Sequence, residues 1–386
     1  MKKVELVILV YIITVVLSVM YATQPIQPLL AKEFDIDVIK ASSFTAIILF
    51  LLAVAPIIYG YILERFSAKK MLKSATIILF ITNIFLGFSN SYEMFFTIRV
   101  IEGLVIPAIL TSAMSILANL DKKNIKFNMS VYVASTVFGG IVGRVVSGFI
   151  ATSFGWRWVF FTLSFELLVA LFFVYKINYK GETNLIKGSL KDMLSILKDR
   201  RFVAVYFLMF GIFFVFAGLL NILPFRIKEL DPNATETKIG LMYLGYSTGI
   251  VVSLISRKIV KLFKGEINTI LFATLFFAFI TIFFVSDNIT FIFFLLFIFC
   301  IGMFTIHSIA SGLANTIKKD KKALTSGMYL TFYYVGGSFG SVVPSIVYKN
   351  FGWNFTISIF VAIVLSIFLF VWVNRNVLQN YEATVQ

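Results

Sequence analysis

The chain has 386 residues, 59% hydrophobic and 14% charged, with a mean hydropathy of +0.94. A soluble globule carries about 25% charge, so most of this surface must face lipid. Lys and Arg outnumber Asp and Glu by 34 to 19, but they are scattered over short loops and both ends, which argues against nucleic acid, and the single Cys300 excludes a disulfide framework.

Apolar windows long enough to cross a bilayer fall near residues 4–28, 41–62, 71–89, 94–119, 129–151, 158–176, 202–223, 239–256, 267–286, 290–316, 324–347 and 354–373. Each is too long for a barrel strand, so the fold class is an all-α polytopic membrane protein with twelve transmembrane helices. Basic residues cluster at Lys2-Lys3, the 63–73 turn, Lys122, Lys123 and Lys126, the 176–201 connection, Arg257–Lys264, Lys318–Lys322 and Arg375. By the positive-inside rule these segments are cytoplasmic, and both termini lie inside. Lys2-Lys3 before an apolar run imitates a signal peptide, but the run is too long and lacks an A-x-A-like site. The net charge of +15 also fits attraction to anionic headgroups of the membrane lipids.

Span 1 carries Tyr11, Thr14, Ser18, Tyr21 and Gln24 on one face of an otherwise apolar helix, which predicts a cavity lining. Spans 2 and 3 are joined by GYILERFSAKKML, Gly60 to Leu72. Span 4 holds RVIEG, where Arg99 and Glu102 lie one turn apart and can pair directly. Span 5 holds GGIVGRVVSG, Gly139 to Gly148, with Arg144 at mid-depth, and span 6 holds Glu166. Ionisable groups at such depth are functional candidates by default. The long polar connection 176–201 contains Leu190, Met193, Leu194 and Leu197 at helical spacing, an amphipathic linker helix. Span 7 has an aromatic face, Tyr206, Phe210, Phe213 and Ala217, ending at Asn221. Span 10 has a polar stripe of His307, Ser311 and Asn315.

An internal repeat organises these spans. Tyr132, Gly139, Gly140, Gly143, Val145, Val146, Phe154, Gly155 and Trp156 recur 197 positions later as Tyr329, Gly336, Gly337, Gly340, Val342, Val343, Phe351, Gly352 and Trp353. An offset near half the chain predicts two copies in parallel orientation: a six-helix bundle over 1–175, a cytoplasmic linker over 176–201 and a second bundle over 202–386.

The ordered motifs resemble those of the major facilitator superfamily. Gly60, Glu64, Arg65 and Lys69 are similar to its loop G-x-L-a-D-R-x-G-R-[RK], with Glu for Asp, Ser67 for Gly and Ala68 for Arg. RVIEG resembles R-x-x-Q-G, and GGIVGRVVSG resembles the antiporter pattern G-x-x-x-G-P-x-x-G-G with Arg144 at the Pro. Gly155-Trp156-Arg157-Trp158 resembles the family's turn between spans 5 and 6, and YATQPIQPLL, Tyr21 to Leu30, is similar to the opening of bacterial sugar or drug efflux permeases. The resemblance implies two six-helix bundles related by pseudo-twofold symmetry, and a cytoplasmic gate at Gly60, Glu64, Arg65 and Lys69.

The expected activity is secondary transport, with proton-coupled export of a small organic solute across the plasma (inner) membrane by a monomer. Glu102, with Arg99 and His307, is the expected proton-coupling set, the alternative for Glu102 being a fixed ion pair. Arg144, Tyr11, Thr14, Ser18, Tyr21, Gln24, Asn221 and Tyr206 are the expected substrate-cavity set. Arg144 pairs with Glu166 or anchors a substrate anion. A second reading is uptake of an organic anion held by Arg99 and Arg144. A membrane-embedded enzyme is the remote third, since one His, one Cys and few buried carboxyls offer no catalytic constellation. No P-loop pattern, cofactor motif or metal-ligand cluster is present.

Glu64→Ala removes a carboxylate that the resemblance sets against a helix N-terminus, worth about 0.3–1 kcal/mol or more when partly buried. Spin-label distances across the cytoplasmic mouth should lengthen in the variant; unchanged distances would discount the gate.

Overall fold

The computed structural model describes residues 2–62, 67–120, 124–177, 190–317 and 322–379. Among them are only helices and their connecting turns. Eleven helical stretches are long and apolar enough to cross a membrane. The last of these, Leu324–Val373, is interrupted at Gly352, where φ is 79°, so it makes two crossings and the expected twelve are present.

The chain separates into two compact units. Unit 1 comprises Met1–Leu185 with Ile227–Leu244; unit 2 comprises Ile186–Arg226 with Gly245–Gln386. Ile227–Leu244 groups with the N-terminal spans in unit 1. The central connection contains the expected amphipathic helix, α8 (Leu190–Leu197), whose Ile196 is buried while Leu194 and Leu197 are exposed.

In unit 1, span 1 is broken. Helix α1 (Lys2–Tyr21) passes through a 3-10 turn, Gln24–Ile26, into α2 (Gln27–Glu33). Pro25 and Pro28 explain the break: neither has an amide N–H to give to the preceding turn. Helices α3 (Val38–Ile62), α4 (Ala68–Gly87), α5 (Tyr92–Leu120), α6 (Ile125–Phe154) and α7 (Trp156–Val174) follow. Rings of Phe34, Phe44, Phe95, Trp156 and Phe160 close one end of the unit, with Phe44 and Phe95 4.6 Å apart and Phe95 and Phe160 5.4 Å apart.

Span 8, expected as one helix over 239–256, is also broken. It consists of α10 (Glu236–Met242), a 3-10 turn Tyr243–Tyr246, and α11 (Ser247–Leu262). The remaining helices are α9 (Arg200–Leu230), α12 (Glu266–Ile282), α13 (Ile289–Thr316) and α14 (Lys322–Val373). In unit 2 the rings of Phe277 and Phe299 stack 4.4 Å apart, and Phe284 meets Phe299 at 5.2 Å.

The repeat has one physical meaning in both halves. A Cβ on Gly139 or Gly143 would collide with backbone atoms of Thr14 and Ser18, so α6 lies directly on α1. A Cβ on Gly336 or Gly340 would collide with backbone atoms of Phe210 and Phe214, so α14 lies directly on α9. Small residues permit this approach, and without a hydrophobic drive between helices in lipid it supplies the contact. The repeated Phe-Gly-Trp turns use left-handed glycines, Gly155 at φ 92° and Gly352 at φ 79°, and bury Trp156 and Trp353 behind them.

Gly143→Ala and Gly340→Ala should each cost about 1–3 kcal/mol by forcing the helix pairs apart. Gly327→Ala, where a Cβ meets nothing within 4 Å, should stay within about 0.5 kcal/mol. Melting temperatures in detergent decide; equal effects at the three sites would remove the close-contact account.

Candidate functional site

The break in span 1 organises the buried charge of unit 1. Ser18 O still accepts from Ala22 N at 2.9 Å, but the ladder of α1 ends at the turn that leads into Gln24–Ile26, and at membrane depth no water supplies a missing donor. Arg99 of α5 supplies the donors: Nη1 reaches Val19 O at 3.2 Å and Nη2 reaches Met20 O at 2.9 Å. Its Nε donates to Phe44 O at 3.2 Å, and Nη1 also pairs with Glu102 Oε2 at 2.7 Å. Glu102 Oε1 accepts from Asn83 Nδ2 at 2.9 Å and from Thr82 Oγ1 at 3.3 Å. Both Arg99 and Glu102 are fully buried. In this geometry a cation caps a helix C-terminus, and a carboxylate lies against it.

Arg144 meets the same break from α6. Its Nε donates to Gln24 Oε1 at 2.6 Å and Nη1 to Gly140 O at 2.7 Å. The guanidinium lies 3.8 Å from the Tyr21 ring centroid and 5.1 Å from that of Tyr243, cation–π distances to both. Three of the expected cavity residues thus converge as one fully or partly buried cluster, Arg144, Tyr21 and Gln24.

Tyr11, Thr14 and Ser18 line a cavity of about 270 Å³ between α1, α6 and α7. Its wall includes Val15, Val142, Gly143, Val146, Ile150, Val159 and Leu163, with Ser147, Thr162 and Glu166 as further polar groups. Glu166 is half-buried and accepts a hydrogen bond from the Tyr11 hydroxyl. Tyr11 and Tyr21 are ten residues apart on α1, about 15 Å along a helix. The Glu166 and Arg144 clusters therefore attach to opposite ends of the stripe, Glu166 to Tyr11 and Arg144 to Gln24. Thr162 and Glu166, four apart on span 6, give that helix a polar face at the cavity.

In unit 2 each candidate has a partner on α14. His307 of α13 shares a hydrogen bond of 2.8 Å with the Tyr329 hydroxyl, with the Tyr333 ring at 4.9 Å. Tyr206 is buried and donates to Thr325 O at 2.9 Å. Asn221 is buried and donates to Ser341 O at 3.1 Å. Both tie α9 to α14. Of the gate residues, Gly60 falls in α3 and Lys69 in α4, where Lys69 Nζ donates to Tyr175 O at 3.3 Å. Glu64 and Arg65 lie outside the described residues.

A family model for the Major Facilitator Superfamily matches residues 8–317. The inner membrane transport protein YnfM of Escherichia coli is 24% identical over 92% of this chain and 86% of its own length. An uncharacterized transporter of Buchnera aphidicola is 24% identical over 83% of this chain and 79% of its own. The crystal structure of the nucleoside transporter NupG superposes with a TM-score of 0.79 at 13% identity, over 96% of this chain and 98% of that one. A structural likeness at this identity speaks for the fold alone.

The capping role separates from simple charge neutralisation in a double variant. If Arg99 only offsets Glu102, Arg99→Met with Glu102→Gln should recover wild-type stability, as paired removal of buried ions often does. The cap predicts incomplete recovery, with about 1–3 kcal/mol lost for each orphaned carbonyl. A double variant that melts in detergent with the wild type would sink the cap.

Proposed function

Because the chain belongs to the major facilitator superfamily and is a multi-pass membrane transporter, we propose that it exports a small organic solute by proton-coupled secondary transport. The observation that carries this reading is the 270 Å³ cavity where the polar stripe of α1 meets Glu166. A volume at the small end of ligand pockets suits a small solute. Arg144, Tyr21 and Gln24 form the end of the same stripe and orient it.

A coupling carboxylate must exchange its proton with an accessible space. Glu102, the residue first expected in this role, is fully buried, with both oxygens engaged. Glu166 is half-buried and lines the cavity, so we assign the proton to it. His307, whose ring nitrogen is engaged by Tyr329, is left outside the coupling set. One proton moving through about 100 mV yields about 2.3 kcal/mol, enough for roughly a fifty-fold solute gradient. The glycines of the antiporter-like motif hold α6 on the helix that carries the stripe, which supports exchange of proton for solute. Uptake of an anion by two arginine forks fits less well, since Arg99 is engaged with Glu102 and three carbonyls. The basic loops orient both termini to the cytoplasm, with the protein acting as a monomer in the plasma (inner) membrane. The two six-helix halves joined by 176–201 are the moving parts, and Gly60, Glu64, Arg65 and Lys69 the gate.

Proteoliposomes with pH and voltage gradients collapsed separately, screened against a panel of small solutes, test the reading. Uphill movement should stop when the pH gradient is removed. Glu166→Gln should lose uphill transport while keeping solute exchange. Uphill transport surviving in that variant would move the proton elsewhere.

A further inference from the structure

Three lysines crowd the end of α7, and no acid among the described residues is paired with them. Lys69 and Lys73 reach that end from α4, and Lys176 follows it in the chain. We propose that they form a fixed site for one anionic phospholipid, its phosphate held among the three ammonium groups and an acyl chain lying along the outer face of α7. The ligand is a resident of the bilayer and not a cargo, so the site stands whether or not the transport reading does.

Charge comes first. Lys69 Nζ donates to Tyr175 O at 3.3 Å, and Lys73 Nζ lies 4.2 Å from the centroid of the Tyr175 ring. Lys176 Nζ lies 4.9 Å from the Phe172 ring and 5.5 Å from that of Phe173. The ion pairs among the described residues use Arg99, Arg157, Arg201, Arg226, Lys228 and Lys238, and none of these three lysines. Capping explains only part of the cluster. The end of a helix carries about half a negative charge, which three ammonium groups far exceed. Lys69 and Lys73 also stand one turn apart on α4, a like-charged spacing that is unfavourable by itself. An ammonium has N–H groups for three acceptors, so one carbonyl or one ring leaves donors over on each. A phosphate diester brings a full negative charge and oxygens for all of them.

The surroundings then choose a lipid over a soluble anion. Phe172 and Tyr175 are 62% and 57% exposed, large rings at the level where a span ends and headgroups begin. Phe165, Leu168 and Phe172 of α7 and Tyr175 at its C-cap fall on one helix face, and all four are exposed. That stripe leads from the lysines toward the middle of the span, a continuous apolar track for an acyl chain. Free phosphate would gain nothing from it. The positive-inside rule gives this end to the cytoplasmic side, where anionic headgroups gather and basic pockets between spans hold them. A general attraction of the +15 chain to the leaflet would spread over every basic loop. Here two of the bases meet on one residue, Tyr175, and the third adjoins it.

The purified full-length protein in detergent is titrated with phosphatidylglycerol, phosphatidylcholine and inorganic phosphate, and bound molecules are counted by native mass spectrometry. The first phosphatidylglycerol should bind about tenfold or more tighter than the first phosphatidylcholine. Inorganic phosphate at matched concentration should not displace it. Lys73→Gln and Lys176→Gln should each weaken that first lipid about fivefold, the worth of one base near the membrane surface. Lys73→Arg should keep it, and removing two bases elsewhere, Lys258→Gln with Lys261→Gln on α11, should change it by less than about twofold. Three results overturn the proposal. Equal affinity for the two lipids removes the charge selection, and this comparison needs no variant to fold. An equal loss in the α11 pair makes the attraction diffuse. Displacement by inorganic phosphate makes the site one for a soluble anion.

Discussion

The interruption of the first span is the constraint on which the buried architecture of unit 1 depends. A helix that stops inside hydrocarbon leaves carbonyls with nothing to accept from, and each such group costs several kcal/mol. Pro25 makes the interruption unavoidable, and two arginines answer it from opposite sides. Arg99 fills the open carbonyls of Val19 and Met20; Arg144 holds Gln24 and lies on Tyr21. The buried carboxylate of span 4 then follows. Glu102 exists to balance one arginine, and Thr82 and Asn83 of α4 complete its oxygen contacts. A strong local demand thus ties α1, α3, α4 and α5 into one polar knot.

This division of labour sorts the mid-depth charges by accessibility rather than by type. Arg99 and Glu102 look like a coupling pair by depth and spacing, yet their geometry is that of a sealed joint. Glu166, on α7, lines the cavity beside Tyr11. Depth marks a charged residue as important, and the identity of its partners says for what.

The sequence made some of this legible and hid the rest for definite reasons. Span number was legible because apolar length is a one-dimensional property, and the turn at Gly352 because its twin at Gly155 stood in the repeat. The contact of α6 with α1 was foreshadowed by small residues at Gly139 and Gly143. The break in span 8 was not, because hydropathy is blind to a 3-10 turn between two apolar helices. Helical spacing sets Tyr206 and Asn221 on span 7 but cannot say which neighbour they meet; both donate to backbone carbonyls of α14, at Thr325 and Ser341. Glu166 and Tyr11 met only in three dimensions, since they are 155 positions apart. Glu64 and Arg65 of the resembled gate lie outside the described residues.

The glycine seam between α6 and α1 has a consequence for how such a protein changes over generations. Where two helices touch main chain to main chain, their grip does not depend on the side chains that one of them carries elsewhere. Tyr11 and Thr14, which line the cavity on α1, are therefore not required for the seam, and new residues there alter the cavity while the helices stay joined. A scaffold of this kind can explore cargoes by point changes without passing through unstable ancestors. Restriction falls instead on the glycines, where even a methyl group meets a neighbouring backbone.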